Sequence, residues 1–176
     1  MLRLKSNFFM SYDKFLINIK NLFNIYNFLL LIFILFLFII DRFSKVKVIA
    51  NFDESSYYIN KYLNLDLTWN TGIGFGLFAS NSDFLYNFIS SVIGAVIVFL
   101  IYWSFKSDKY EKFFFSLIIG GALGNFYDRI TFKAVPDFID VHYNNFHWFT
   151  FNIADIFITL GVIAFLAKGL FDKKNL

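Results

Sequence analysis

Cysteine is absent from this chain, which excludes disulfides, thiolate nucleophiles and cysteine-ligated metal sites. Charge is also scarce: charged residues make up 16% of the 176 residues, against about 25% in an ordinary soluble domain. The two histidines, His142 and His147, stand in an aromatic-rich stretch, and we expect interfacial residues there rather than metal ligands. The sequence has neither the HExxH motif of zinc hydrolases nor the GxSxG elbow of serine hydrolases. Membrane hydrolases of those classes are therefore disfavoured.

Hydrophobic residues, by contrast, make up 58% of the chain and come in long blocks that a soluble core does not need. A helix needs about 20 consecutive apolar residues to cross a bilayer. Such segments predict an all-α polytopic membrane protein with four transmembrane helices. The predicted spans are residues 22–41, 84–105, 112–130 and 151–171.

An even number of spans places both termini on one side of the membrane. That side carries the majority of the Lys and Arg residues, so the positive-inside rule assigns it to the cytoplasm. The same bias explains the net charge of +3 without a nucleic-acid partner. We therefore expect a polar cytoplasmic extension over residues 1–21, a membrane domain over 22–171 and a cytoplasmic tail over 172–176.

Glycines alternate with apolar residues in TWNTGIGFGLF, residues 68–78, between the first two predicted spans. Alternation with a period of two indicates an extended strand with one bare face and one apolar face. Another backbone can approach a glycine face closely. The alternative is a flexible loop.

Ionisable groups near membrane depth are a functional hypothesis by default. In DRFSK, Asp41 and Lys45 stand at i, i+4, so their side chains can meet on one helix face. The alternative is an interfacial ion pair. Asn70, just before the glycine-rich stretch, is either a turn former or a substrate contact.

A second polar group lies in GNFYDR, at the end of the third predicted span. Asn125 and Asp128 stand at i, i+3 on one helix face, and Arg129 follows directly. The preceding glycines favour close helix packing in a membrane. The alternative to a functional site is a structural polar clasp, which we favour for Asp128.

Two further acidic elements, VPDFID and FNIAD, flank the start of the fourth span. Asn152 and Asp155 stand at i, i+3 at its outer end, and Asp137 and Asp140 precede them. If helices three and four are antiparallel neighbours, Asp155 can face an aspartate of residues 128–140. Two such carboxylates share one proton, so one can activate water while the other protonates a carbonyl, as in an aspartic protease. Helix capping by Asn152 and Asp155 is the alternative.

The motifs DRFSK, NTGIGFG, GGALGNFYDR, VPDFID and FNIAD occur in the order and spacing of bacterial lipoprotein signal peptidases (signal peptidase II). The chain resembles that family from about residue 28 to residue 171. The resemblance implies a membrane aspartic endopeptidase that cuts prolipoproteins before their diacylglyceryl-modified cysteine, without cofactor or metal. It also implies a site near the extracytoplasmic face of the bacterial inner membrane, beside a small extracytoplasmic β-sheet that includes the glycine strand.

The resemblance assigns roles motif by motif. Asp137 and Asp155 match the catalytic dyad, with Pro136 replacing the aliphatic residue usual beside the first aspartate. The expected partners are prolipoproteins and membrane lipids, and we expect a monomer. The residues matching positions that orient substrate and dyad or surround the site are Asn125, Arg129, Asn152, Asn70, Asp41 and Lys45.

Two other classes of function remain open from the residues alone. A small transporter or channel would use buried Asp, Asn and Arg side chains as an ion path, and such proteins often show internal repeats. The two NxxD elements give only a weak hint of repetition. The third class is a membrane scaffold without catalysis.

Overall fold

The computed structural model describes residues 24–51, 57–72, 83–144 and 146–174. The predictions for residues 1–21 and for the glycine strand beyond Gly72 lie outside these ranges. The described residues form four helices and four strands, in the order α1 (Ile25–Asn51), β1 (Tyr57–Asn60), β2 (Leu63–Asn70), α2 (Asp83–Lys106), α3 (Lys109–Phe132), β3 (Val135–Tyr143), β4 (Phe146–Phe151) and α4 (Ile153–Lys174).

Helix α3 lies at the centre and contacts the other three helices. Its N-terminal turn is capped by Asp108, whose side chain accepts from the backbone N–H groups of Tyr110 and Glu111. Lys168 near the end of α4 forms an ion pair of 2.8 Å with Asp108, so α4 runs antiparallel to α3. Small residues such as Gly121 let α3 and α4 pack closely, as is typical of membrane helices.

Within the described residues, three helices are long and apolar enough to cross a membrane: α1, α2 and residues Ile153–Asp172 of α4. Many of their apolar side chains, such as Phe28, Val98 and Leu166, point outward, as lipid-facing residues do. The described part of the chain therefore has three candidate spans where the sequence predicted four. Helix α3 is less apolar than these three because its second half carries buried polar residues. A central helix surrounded by protein can hold such residues.

Helix α1 continues to Asn51, ten residues beyond the predicted end of the first span at residue 41. Asp41, Lys45 and Val48 are buried on this extension, at spacings of four and three residues that place them on one face. The helix extends past the apolar run because this face packs against the rest of the protein.

The strands form one antiparallel sheet in the order β1-β2-β3-β4. The prediction of a small sheet is confirmed, but the predicted strand overlaps only the end of β2, at residues 68–70. Strands β1, β3 and β4 lie in residues that the sequence analysis left without secondary structure. Only Lys133 and Ala134 connect α3 to β3. Pro136 pairs with Trp69, and β4 pairs with β3 only from Ile139 onward, so the missing N–H of Pro136 interrupts no ladder with β4.

Candidate active site

Asp137 lies near the start of β3, where its carboxylate is almost fully buried. Asn70, at the end of β2, donates from Nδ2 to Asp137 Oδ2 at 2.8 Å. Asn152, just before α4, donates from Nδ2 to Asp137 Oδ1 at 2.6 Å. Each oxygen of Asp137 therefore accepts from an amide held at the end of a different element.

Asn152 and Asp155 cap the first turn of α4. Asn152 Oδ1 accepts from the backbone N–H of Asp155 at 3.1 Å, and Asp155 Oδ2 accepts from the backbone N–H of Asn152 at 3.1 Å. This reciprocal pair is a capping box. The capping alternative from the sequence is thus present in the structure. Capping does not exclude a catalytic role for these residues, because the side-chain amide of Asn152 remains available to Asp137.

The environment of Asp137 favours its neutral form. Burial, together with the negative charge of Asp155, raises the pKa of Asp137 from 3.8 to about 6. The hydrogen bonds from Asn70 and Asn152 oppose this shift because they favour the ionised carboxylate. Asp137 can therefore hold a proton at a pH where an exposed aspartate is fully ionised.

Asn125 links Asp155 to a buried lysine. Its Nδ2 donates to Asp155 Oδ1 at 2.8 Å, and its Oδ1 accepts from Lys45 Nζ at 2.7 Å. Lys45 has no exposed surface and also donates to Asp41 at 2.9 Å and to Asp128 at 2.7 Å. All three hydrogen-bonding positions of its ammonium are thus occupied. This network ties α1, α3 and α4 together directly beneath Asp155.

Asp41 joins α1 to the start of α4. Its Oδ1 accepts from the backbone N–H of Ala154 at 3.1 Å, so the carboxylate satisfies one of the free amides in the first turn. A Cβ atom at position 124 would collide with the Asp41 carboxylate. Gly124 is therefore required for α3 to pass this close to Asp41.

Arg129 connects the end of α3 to the residues after β2. Its Nη2 donates to the backbone carbonyl of Gly72 at 2.7 Å, and its Nη1 donates to the carbonyl of Asn125 at 3.3 Å. Tyr86 of α2 donates from its hydroxyl to the carbonyl of Arg129 at 3.1 Å. Arg129 thus holds the segment after Asn70 next to Asp137.

The structure brings nine of the polar residues that the sequence singled out into one hydrogen-bonded network, and Asp140 lies outside it, next to His147. The sequence analysis missed Arg42, which pairs with both Asp128 and Asp41. The position of Arg42 directly after Asp41 was a usable signal in the sequence. The contributions of Tyr86 and of the Gly72 carbonyl had no signal in the sequence.

Two carboxylates bridged by one asparagine, one of them held partly neutral, form an arrangement suited to general acid–base catalysis on a bound water. The surrounding polar groups orient the pair, and the low-dielectric environment strengthens the interaction of the carboxylates with a reacting carbonyl.

Comparison with known proteins gives a consistent result. The family model described as signal peptidase (SPase) II matches residues 33–171. A lipoprotein signal peptidase of Pelagibacter ubique is 49% identical over 164 residues, covering 90% of this chain and 96% of that protein. One from Francisella tularensis subsp. novicida is 39% identical over 150 residues, covering 81% and 93%.

A solved bacterial membrane enzyme has a similar fold, with a TM-score of 0.69 and 29% sequence identity. The match covers 83% of this chain and 90% of the solved chain. A second solved bacterial membrane enzyme gives a TM-score of 0.66 at 28% identity, with 80% of this chain and 92% of the other covered.

Proposed function

The chain belongs to the signal peptidase II family, and we propose that it removes signal peptides from prolipoproteins by means of an Asp137–Asp155 dyad. Its relatives named lipoprotein signal peptidase support this activity over a transporter or a scaffold. The main support for this dyad comes from Asn152. Its side-chain amide donates to Asp137, while its backbone N–H donates to Asp155.

The two carboxylates share one proton in the resting enzyme. Asp155 is the ionised member, because it accepts from Asn125 and from the backbone of Asn152 at the positive end of α4. Asp137 is the protonated member, since its burial and the nearby charge of Asp155 both favour its neutral form. Asp155 takes a proton from water as the water attacks the scissile carbonyl, and Asp137 gives its proton to the carbonyl oxygen.

The tetrahedral intermediate then collapses by the reverse proton movement. The proton held by Asp155 passes to the leaving amine, and a hydroxyl proton of the intermediate returns to Asp137. Asn70, Asn125 and Asn152 position the carboxylates throughout. Arg129 positions the segment after β2 through the Gly72 carbonyl, and Asp41, Lys45 and Asp128 support the base of the site.

We also propose that α3 is the fourth span, so that both termini lie in the cytoplasm and the sheet outside it. Helix α3 has 24 residues, which corresponds to about 36 Å at 1.5 Å per residue, enough for a hydrocarbon core of about 30 Å. Only Ser107 and Asp108 connect α3 to α2, so the chain reverses direction between the two helices. The protein would then be an inner-membrane enzyme whose site opens toward the extracytoplasmic sheet and whose lipid-facing helices accept the acyl chains of the substrate.

The absence of cysteine makes this topology simple to test. Asp66→Cys in the sheet and Lys109→Cys at the start of α3 each introduce a single thiol at an exposed position. In intact cells freed of the outer membrane, a membrane-impermeant maleimide should label position 66 and spare position 109. Labelling of both positions, or of position 109 alone, would contradict four spans.

The specificity is tested with the purified chain, a diacylglyceryl-modified precursor and the same precursor without lipid. We expect cleavage of the modified precursor alone, with a product that begins at the modified cysteine by mass measurement. A cut elsewhere, or equal cleavage of the unmodified precursor, would overturn the assigned substrate. We also propose that the enzyme acts as a monomer, and the described network supports this because it draws all its residues from one chain.

A further inference from the structure

We propose a second site in the protein: Asp140, His142 and His147 bind a divalent transition metal ion, with zinc as the best match to the donors. Donor atoms of the three side chains all lie within 4.8 Å of one another. His147 Nδ1 lies 2.7 Å from Asp140 Oδ2, and His142 Nδ1 lies 3.6 Å from the same oxygen. Imidazole nitrogens and a carboxylate oxygen are typical zinc ligands. The sequence analysis expected the histidines to be interfacial residues, but the β3–β4 hairpin brings them together.

A bulge in β4 places His147 opposite His142. Val141 pairs with Phe149, so an unbroken antiparallel register would put Trp148 opposite His142. The register shifts at this point, and His142 pairs with His147 instead. Their rings stack with centroids 5.2 Å apart. Bulges commonly redirect a side chain in this way next to functional sites.

Burial gives an independent reason to expect a ligand. Asp140 and His142 stand two residues apart on one face of β3 and are 3% and 5% exposed. Among the described residues, His142 Nδ1 has no hydrogen-bond partner. A buried polar atom without a partner destabilises the fold, and a bond to a metal ion would remove that cost. His147 is 56% exposed, so an ion can enter from its side.

Asn64 offers a fourth ligand, an amide oxygen, on the same face. It pairs directly with Asp140 across β2 and β3, and directly opposed side chains share a face of the sheet. Its Oδ1 is the second buried atom on this face that has no partner within the described part of the chain. Amide, carboxylate and two imidazoles together complete a four-coordinate set.

The proposed metal site is separate from the dyad. Asp137 precedes Asp140 by three residues on β3, so the two side chains point to opposite faces of the sheet. A metal at Asp140 would join β3 to β4 and thereby hold the strand that carries Asp137. We expect zinc to raise thermal stability without contacting the reacting atoms.

The experiment uses the full chain in detergent micelles, purified with a tag that lacks histidine and stripped with a chelator. The chain has two histidines and no cysteine, so zinc has no rival His or Cys site. We expect one zinc per chain in metal analysis after gel filtration, and a higher Tm with zinc than after chelation.

Substitutions identify the ligands. His147→Gln changes an exposed side chain and should leave the fold intact while weakening zinc binding about tenfold or more by calorimetry. Asp140→Asn should do the same. Asp137→Asn and the exposed Asp66→Asn are the controls and should bind zinc like the unmodified chain, which separates this proposal from that of the dyad. No stoichiometric binding, or unchanged affinity in folded His147→Gln, would overturn the site.

Discussion

The side-chain amide of Asn152 donates to Asp137 at 2.6 Å, while the backbone of the same residue caps α4 together with Asp155. One asparagine therefore fixes the distance between a strand carboxylate and a helix carboxylate. Because the capping box sets the rotamer of Asn152, the start of α4 and the orientation of Asp137 are coupled. Helix capping and catalysis use different atoms of the same residue, so they can be separated experimentally.

Asn152→Ser tests that separation. Serine caps a helix about as well as asparagine but has no amide to donate to Asp137. We expect stability close to that of the unmodified chain and a fall in kcat of roughly tenfold or more, as for loss of an orienting group. Asn152→Ala should lose the cap as well and about 1 kcal/mol of stability. Equal activity in Asn152→Ser and the unmodified chain would mean that Asn152 only caps the helix.

The raised pKa of Asp137 predicts a particular pH dependence of stability. The folded pKa is about 6 and the ordinary value is 3.8, so between these values the folded state binds more protons than the unfolded state. The contribution of Asp137 to stability therefore falls as the pH rises through this window. Asparagine cannot ionise, so Asp137→Asn should be more stable than the unmodified chain at pH 8.

The gain in the free energy of unfolding of Asp137→Asn at pH 8 has an upper bound of about 3 kcal/mol, from 1.36 kcal/mol per unit of pKa. This gain should vanish near pH 4. Thermal unfolding in detergent at several pH values measures it. Asp66→Asn removes a charge from an exposed position and controls for the change in net charge. A lower Tm of Asp137→Asn than of the unmodified chain at pH 8 would contradict the raised pKa.

Lys45 should be essential for the fold. Lys45→Met leaves the carboxylates of Asp41 and Asp128 buried without the ammonium that lies 2.9 and 2.7 Å from them. Removing one partner from a buried ion pair costs about 3 to 5 kcal/mol. We expect a much lower Tm in detergent and less protein in the membrane. Lys47→Met, on the exposed side of the same helix, should change stability by less than about 0.5 kcal/mol.

Gly121 of α3 should be required for the close packing of α3 against α4. A Cβ at position 121 would collide with the backbone carbonyl of Ala154, so Gly121→Ala should push α4 away and cost about 1 to 3 kcal/mol. Gly169 provides the matched control, since a Cβ there meets no atom within 4 Å of the described chain. Gly169→Ala should be neutral or slightly stabilising because alanine favours helix. Comparison of the two Tm values checks this.

The sequence predicted contacts between residues close in the chain better than it predicted those between distant elements. The i, i+4 spacing of Asp41 and Lys45 predicted their contact, which is confirmed at 2.9 Å. The reach of Lys45 to Asn125 and Asp128 was not predictable, because it depends on how α1 is rotated against α3 and on the absence of a side chain at Gly124.

Strand β3 escaped prediction for a different reason. Strands are recognised by alternation of polar and apolar residues when one face is exposed. In VPDFIDVHY every residue except Tyr143 is buried or half-buried, and the buried ones include Asp137, Asp140 and His142. The strand therefore carries no periodic signal. Its aspartates could be ranked only by the family resemblance, which singled out Asp137.

The most direct measurement is cleavage of a diacylglyceryl-modified precursor by Asp137→Asn and Asp155→Asn, with Asp66→Asn as the exposed control. Gel filtration and thermal unfolding of each variant would establish that it is folded. The account predicts that both dyad variants lose at least about a thousandfold in kcat, or about 4 kcal/mol of transition-state stabilisation, while Asp66→Asn cleaves normally. Normal cleavage by a folded Asp137→Asn or Asp155→Asn variant would contradict it.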